Sequence, residues 1–156
     1  MTPGTIPTTP LPFTKGHGTE NDFVLLDDRE ALLDLTPALV RALADRRDGI
    51  GGDGVIRVVP SSALPEGQAV LAHEPLAHWF MDYRNADGSV AQMCGNGTRV
   101  FARYLTDTGL ASIDDGLRIG TRAGVKTLTR SDRGFEVDLG AFEVEADETL
   151  VRARGL

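Results

Sequence analysis

The chain has 156 residues, of which 41% are hydrophobic and 25% are charged, and its formal net charge is −7. This length allows one domain with a hydrophobic core, and the composition is that of an ordinary globular protein. Lys and Arg are scattered along the chain, which argues against nucleic acid as a partner because binding it needs a concentrated cationic surface.

Membrane and disulfide proteins are also disfavoured. No apolar run approaches the roughly 20 residues that cross a bilayer, and the first segment has neither the basic nor the apolar part of a signal peptide. The single cysteine, Cys94, cannot form an internal disulfide. We therefore expect a cytoplasmic protein without a membrane partner.

The predicted elements begin after a start rich in Pro and Thr. We expect residues 1–12 to be a disordered leader and residues 13–156 to form the folded domain. Residues 23–26 are typical of a short buried strand. Thr36 and Pro37 predict the start of a helix that should end near residues 46–47.

The middle of the chain alternates turns and strands. A Gly-rich turn at residues 49–54 precedes a β-branched strand at residues 55–59. This order is the reverse of a dinucleotide fingerprint, so we interpret the turn as a closely packed loop that lines the pocket. Residues 60–75 are expected to be a variable surface excursion, and residues 79–84 alternate as a strand.

The last elements are a helix and a hairpin. Apolar spacing predicts a helix from about Gly95 to Thr108, with Gly109 after its end. Residues 125–130 and 135–139 predict a hairpin with a four-residue loop. Together the elements predict an α+β domain in which antiparallel strands form a sheet or barrel wrapped around one central helix.

Cys94 lies between a turn and this predicted helix. A free cysteine is usually a small buried hydrophobe. Here Gly95 and Gly97 remove side chains that would block backbone approach, and the unpaired N–H groups of a helix N-terminus lower the pKa of a thiol. The same N–H groups bind carboxylates. The pattern indicates proton transfer on an amino acid.

Two loops supply candidate ligands. Asn85 precedes the thiol by nine residues and is an amide suited to a zwitterionic substrate, although the segment 85–89 is also typical of a tight turn. Asn21 is a second candidate ligand on a loop. His17 is a less favoured general base, and Asp22 is expected to have a structural role.

Metal binding is not indicated. His73 and His78 with Cys94 are too sparse for a zinc site, and neither CxxC nor HExxH occurs. A serine-type triad lacks a nucleophile-elbow motif.

Three blocks resemble the diaminopimelate epimerase family, in particular its actinobacterial N-terminal half. They are FTKGHGTENDFVLLDD, DRRDGIGGDGVIRV and MDYRNADGSVAQMCGNGTRVFARYL, and the third is the most specific. The resemblance extends from about Phe13 to Gly140. It implies a cofactor-independent isomerase, without pyridoxal phosphate, that interconverts LL- and meso-diaminopimelate in lysine biosynthesis.

The resemblance also implies the roles of individual residues. Cys94 would be one of two acid/base cysteines, and Asn21, Asn85, Gly95 and Asn96 would bind the substrate. Many family members have Gln where this chain has Gly54, so that ligand is not carried over.

Members of the family are nearly twice as long, and their second half supplies the other cysteine. We therefore expect this chain to be an N-terminal half that is inactive alone, and that forms a homodimer or associates with the C-terminal half. Two alternatives remain open: a racemase for proline or hydroxyproline, and a non-catalytic binding module.

Overall fold

The computed structural model describes residues 10–140. Residues 1–9 of the predicted leader and residues 141–156 of the predicted domain lie outside the described residues. Among the described residues, the first strand begins at Phe13. Within the described range, no helix combines the length and the apolar character needed to cross a bilayer.

Seven strands and three α-helices make up the described chain. The strands form one sheet whose spatial order follows the chain. They are β1 (Phe13–Gly18), β2 (Asn21–Asp27), β3 (Gly54–Pro60), β4 (Trp79–Asn85), β5 (Leu117–Thr121), β6 (Gly124–Ser131) and β7 (Gly134–Asp138). The helices are α1 (Pro37–Ala44), α2 (Pro65–His73) and α3 (Gly95–Asp107).

The sheet is mixed rather than wholly antiparallel. The pairs β2–β3 and β4–β5 are parallel, and the other four are antiparallel as predicted. A parallel pair needs a crossover that returns the chain to the same end of the sheet. The segments containing α1 and α3 provide these two crossovers.

Helix α3 is the central helix of the fold. It contacts both edge strands, β1 and β7, as well as strands between them, so the sheet curves around it. Its apolar side packs Phe101 and Leu105 against Phe23, Ile56 and Met81 in the largest core cluster. The predicted α+β class, a sheet wrapped around one helix, is confirmed, and so is the predicted position of α3.

Helix α1 lies on the opposite face of the sheet. Its start is confirmed, because the Thr36 hydroxyl accepts a hydrogen bond from the Leu39 N–H at 3.2 Å. It ends at Ala44, earlier than predicted. The Asp45 carboxylate accepts the backbone N–H groups of Arg47 and Asp48, which turns the chain before it can continue the helix.

Residues 60–75, predicted to be a variable surface excursion, are mostly exposed, but they contain α2, which the sequence did not predict. Pro65 occupies the first turn, where a missing N–H costs no hydrogen bond. Val70 packs with Val59 and Phe80 in a core cluster of its own. The buried side of α2 is too short to give a clear helical pattern among the Ser, Pro and Gly residues.

The C-terminal hairpin is confirmed with a shorter loop. Ser131 pairs with Gly134, so the loop has two residues, not four. Phe135 and Val137 of β7 both pack against the core beside α3. This edge strand therefore borders the N-terminal end of α3.

Candidate functional site

Cys94 is the N-cap of α3. Its backbone is extended (φ −139°, ψ 120°), and its Sγ accepts a hydrogen bond from the Gly97 N–H at 3.4 Å. The side chain is half-buried and has no disulfide partner. A β-carbon at Gly97 would lie 2.8 Å from Met81 Cε, so a larger residue would require the end of the Met81 side chain to shift. The predicted position of the thiol is confirmed.

A tight turn brings Asn21 to the same place. Thr19 and Glu20 have positive φ angles of 54° and 66° and join β1 to β2 by a two-residue loop, with Gly18 paired to Asn21. The hand of such a turn matches the twist of the strands. Asn21 Oδ1 then lies 3.5 Å from the Sγ of Cys94, which donates to it.

Asn96 completes this group from the first turn of α3. Its Nδ2 donates to Asn21 Oδ1 at 3.4 Å. The Arg99 guanidinium, one turn along the helix, donates to Asn96 Oδ1 and also to Thr19 Oγ1 at 2.9 Å. The arginine thus joins the β1–β2 turn to the helix.

A carboxylate holds the other end of the Asn21 amide. Asn21 Nδ2 donates to Asp53 Oδ2 at 2.6 Å, and Arg46 Nη2 donates to Asp53 Oδ1 at 2.9 Å. Arg46 also forms two hydrogen bonds with Asp22, which in turn accepts from Lys15 at 2.8 Å. The Arg46 guanidinium, helped by Lys15 and opposed by partial burial, holds the pKa of Asp22 well below its usual range. The structural role predicted for Asp22 fits these contacts.

Asn85 is the last residue of β4 and lies opposite Gly54 in the neighbouring strand. Its Nδ2 donates to Ser89 Oγ at 2.9 Å, and the Ser89 N–H donates to the Asp87 carboxylate at 2.8 Å. Residues 85–89 therefore form the tight turn that the sequence allowed. The N–H of the next residue, Ala86, donates to the Asp53 carbonyl at 3.2 Å, which links this turn to the residue that binds the Asn21 amide.

The packing around Gly54 leaves no room for a side chain at this position. A β-carbon there would lie 2.5 Å from the Tyr83 ring and 2.6 Å from the Arg84 carbonyl oxygen. The Tyr83 ring packs edge-on against Phe23 with centroids 5.8 Å apart. Burial, together with the proximity of Cys94 and Asp53, raises the pKa of Tyr83 to about 12. Tyr83 is therefore uncharged at neutral pH, and it belongs to the core cluster that Cys94 packs against.

An open cleft of ≈ 600 Å³ lies beside the thiol. One side is the first turn of α3, from Cys94 to Arg99, and the other side is β7 with Phe135, Glu136 and Val137. Leu139, just after β7, is 50% exposed and completes the rim. A small polar molecule with one apolar side could enter here and contact Sγ.

The structure thus brings together four of the five predicted site residues. Asn21, Cys94, Gly95 and Asn96 meet at the N-terminus of α3, whereas Asn85 occupies a turn one strand away. His17 lines a separate cleft with Lys15 and Arg46. Among residues 10–140, no three His, Cys, Asp or Glu side chains cluster in a way that could hold a metal ion.

Sequence reasoning missed Asp53, Arg99, Tyr83 and the β7 side of the cleft. Asp53 had one signal, as a charged residue in the middle of a Gly-rich turn. Arg99 follows Asn96 by three positions, which places both on one face of a helix. The contribution of β7 is a long-range contact that no local pattern encodes.

This arrangement suits proton transfer to and from carbon. A thiol at a helix N-terminus has N–H groups that stabilise its thiolate, and the same end of the helix can bind a carboxylate. Asn21 offers an oxygen to an ammonium group, while Asn96 offers an N–H donor.

The comparisons with known proteins agree with this geometry. A family model described as diaminopimelate epimerase matches residues 13–144. A Streptomyces coelicolor protein named diaminopimelate epimerase is 57% identical over 126 residues, which cover 81% of this chain and 42% of that protein. Proteins of the same name from Thermobifida fusca and Corynebacterium glutamicum are 54% and 55% identical, with 85% and 94% of this chain covered and 48% and 49% of those proteins.

The chain therefore spans about half the length of the curated relatives that it matches. Among solved structures, a Bacillus anthracis phenazine biosynthesis protein of the PhzF family matches with a TM-score of 0.52 and 20% identity, over 80% of this chain and 37% of that one. This likeness concerns the fold alone. The family match, the identities and the site geometry agree that the chain belongs to the diaminopimelate epimerase family.

Proposed function

We propose that this chain carries one half of the catalytic apparatus that interconverts LL- and meso-diaminopimelate, with Cys94 as an acid/base residue. The observation that supports this most is the position of Sγ. It lies at the N-terminus of α3, 3.5 Å from the Asn21 oxygen, beside an open cleft.

The α-carboxylate of the substrate would bind at the first turn of α3. The leading N–H groups of a helix have no partner within it, and here they belong to Gly95 and Asn96. Asn21 would accept a hydrogen bond from the substrate ammonium group, and Asn85 would contact the substrate from the turn after β4. These contacts would hold the α-carbon against the Cys94 sulfur.

The proposed reaction removes the α-proton and returns a proton to the same carbon, with no change in oxidation state. The thiolate of Cys94 takes the α-proton, and the C–H electron pair remains on carbon. A second acid on the opposite face then gives a proton to that carbon, which inverts its configuration. In the reverse direction the two groups exchange roles, as general acid/base catalysis requires.

The helix N-terminus would supply most of the stabilisation of the carbanion. Negative charge spreads from the α-carbon into the carboxylate, and preorganised N–H groups aimed at that charge lower the barrier. Tyr83, which is buried in the core cluster that Cys94 packs against, is uncharged at neutral pH and would add no competing charge.

The second acid would come from outside these 156 residues. Cys94 is the only cysteine in the sequence, and the relatives are about twice as long. The cleft between α3 and β7, with exposed Leu139 at its rim, is where we place the other half. We infer a role in lysine biosynthesis, because diaminopimelate is a precursor of lysine, and we propose a cytoplasmic location for this step.

The test is a chimera in which residues 13–140 replace the matching part of the Streptomyces coelicolor relative. We expect it to exchange the α-proton of diaminopimelate for deuterium in D₂O, followed by mass spectrometry. Cys94→Ser in the chimera should lower the exchange rate at least about 100-fold, the usual contribution of a general base. Proline serves as the competing substrate.

Two outcomes would overturn the proposal. One is a Cys94→Ser chimera that exchanges as fast as its parent. The other is exchange of proline without exchange of diaminopimelate. The unmodified relative controls for the assay, and circular dichroism shows whether the chimera folds.

A further inference from the structure

We infer that Asp53 and Arg99 are positioning residues that fix the orientation of the two amide side chains beside Cys94. Asp53 makes Asn21 present its oxygen to the thiol, and Arg99 makes Asn96 present its NH₂ group. The inference rests on the proposed function for its purpose, but its evidence is the set of contacts around these amides.

The orientation of Asn21 follows from the chemistry of its partner. An amide has one end that donates and one that accepts, and a carboxylate can only accept. Asp53 Oδ2 lies 2.6 Å from the Asn21 amide, so the NH₂ end must face Asp53. The oxygen is then left facing Sγ of Cys94 at 3.5 Å.

Asn96 is fixed by the opposite logic. A guanidinium can only donate, so the end of the Asn96 amide that contacts Arg99 must be the oxygen. Its NH₂ group then faces Asn21 Oδ1 at 3.4 Å. Arg99 itself is held by Thr19 Oγ1 at 2.9 Å.

Asp53 is held in place on both of its oxygens. Oδ1 accepts from Arg46 at 2.9 Å, and Oδ2 accepts from the Asp22 N–H at 3.2 Å as well as from Asn21. The carboxylate therefore cannot turn away from Asn21 without losing other hydrogen bonds. Its 45% exposed side chain lies at the rim, outside the cleft that Cys94 lines.

The orientation matters because two hydrogen bonds of opposite effect meet at the sulfur. The Gly97 N–H donates to Sγ and favours the thiolate. The Asn21 oxygen accepts from the thiol and favours the protonated form. A reversed Asn21 would place a second donor at the sulfur and would remove the oxygen that receives an ammonium group.

Other charged or titratable groups lie near the thiol, and their direct effects on it must be distinguished from the effect of the Asn21 orientation. Tyr83 faces it from β4, Glu136 from β7 and Arg99 from α3. Asp53 also carries a negative charge that could act on Cys94 directly. The experiment must therefore distinguish an effect through Asn21 from an effect of charge alone.

The rate of alkylation by iodoacetamide at neutral pH reports on the single thiol of the chain as it exists. We expect Asp53→Ala to raise this rate about threefold, because Asn21 can then turn its NH₂ group toward the sulfur and exchange one modest hydrogen bond for another. Asp53→Asn, which keeps the side-chain shape, is the second variant if Asp53→Ala does not fold.

A double-mutant cycle separates the two explanations. In the Asn21→Ala background, Asp53→Ala should change the alkylation rate less than about 1.5-fold, since interacting residues are non-additive. An equal rise in both backgrounds would mean that Asp53 acts through its charge, and no change in either would mean that it does not orient Asn21. Both results overturn the inference.

Side-chain amide signals in ¹⁵N–¹H NMR spectra test Arg99. Arg99→Gln should shift the NH₂ signals of Asn96, whereas Arg103→Gln, one turn further along the exposed side of α3, should leave them in place. Unchanged Asn96 signals in Arg99→Gln would overturn its positioning role. Since no substrate is present, these results are independent of whether the chimera exchanges protons.

Discussion

Asp82 and Asp53 lie on different parts of the sheet, and both contact arginine side chains. Asp82 is completely buried on the face that carries α1 and α2, where Arg57, Arg84 and Arg122 donate to its two oxygens at 2.8–3.4 Å. Asp53 is half exposed at the rim of the site and accepts from Arg46, from the Asn21 amide and from the Asp22 N–H.

The surroundings decide what each carboxylate does. Burial works against ionisation of Asp82, but Arg84 and Arg122 overcome it and hold its pKa below the usual range. Through Arg57, which donates to the Leu33 carbonyl at 2.7 Å, the same cluster holds the loop before α1. Both carboxylates pair with arginine, but the buried pairs of Asp82 stabilise the fold, whereas we infer that the exposed Asp53 orients a side chain of the site.

The largest effect is expected for Asp82→Ala. Removing one partner of a buried ion cluster leaves the guanidinium groups without a counter-charge, which typically costs about 3–5 kcal/mol. The free energy of unfolding in urea would show this loss, while the alkylation rate of Cys94 in the folded protein stays the same. A loss below about 1 kcal/mol would mean that the buried cluster is no more important than an exposed pair.

A smaller effect is expected from protonation of Asp22, which belongs to the rim cluster. Arg46 first, and then Lys15, lower its pKa in the folded state. The unfolded chain therefore binds its proton more readily, so the stabilisation is complete above the ordinary carboxyl pKa near 3.9 and is lost as the pH falls below it.

The check compares the parent chain with Asp22→Asn. At pH 7 the substitution should cost about 1.5–3 kcal/mol, the usual contribution of hydrogen bonds to a charged group. Urea unfolding between about pH 3 and pH 7 should show a smaller loss of stability on acidification for the variant than for the parent. Equal losses would place the acid sensitivity elsewhere, with buried Asp82 as the first candidate.

Most of the fold could be predicted because its elements have local signals. Thr36 with Pro37, and Cys94 with the glycines that follow it, mark helix starts that depend on one turn of chain. The parallel pairings could not be predicted, since they depend on where a crossover returns. Helix α2 was hidden because only Gly67 and Val70 are buried in it, and Val70 faces a small core cluster.

The site was predictable to the extent that it is contiguous in sequence. Cys94, Gly95 and Asn96 belong to one motif at one helix start. Asp53 acts across 32 positions on Asn21 through a hydrogen bond that only the folded sheet creates. The motif at Asn85 is local, but it allowed two interpretations, a ligand or a tight turn. The described contacts of Asn85 are those of the turn.

The smallest effect is expected at the exposed pair Arg103–Asp107, on the last turns of α3. The side chains are 67% and 56% exposed, and the contacting N and O atoms are 2.7 Å apart. Asp107→Asn should cost about 0.3–0.5 kcal/mol at low salt, and less in about 0.5 M salt, because water and ions screen exposed charges. A double-mutant cycle with Arg103→Gln measures the coupling by urea unfolding. If it exceeded about 1 kcal/mol, burial would not rank these ion pairs, and Arg103→Gln would no longer be a neutral control for Arg99.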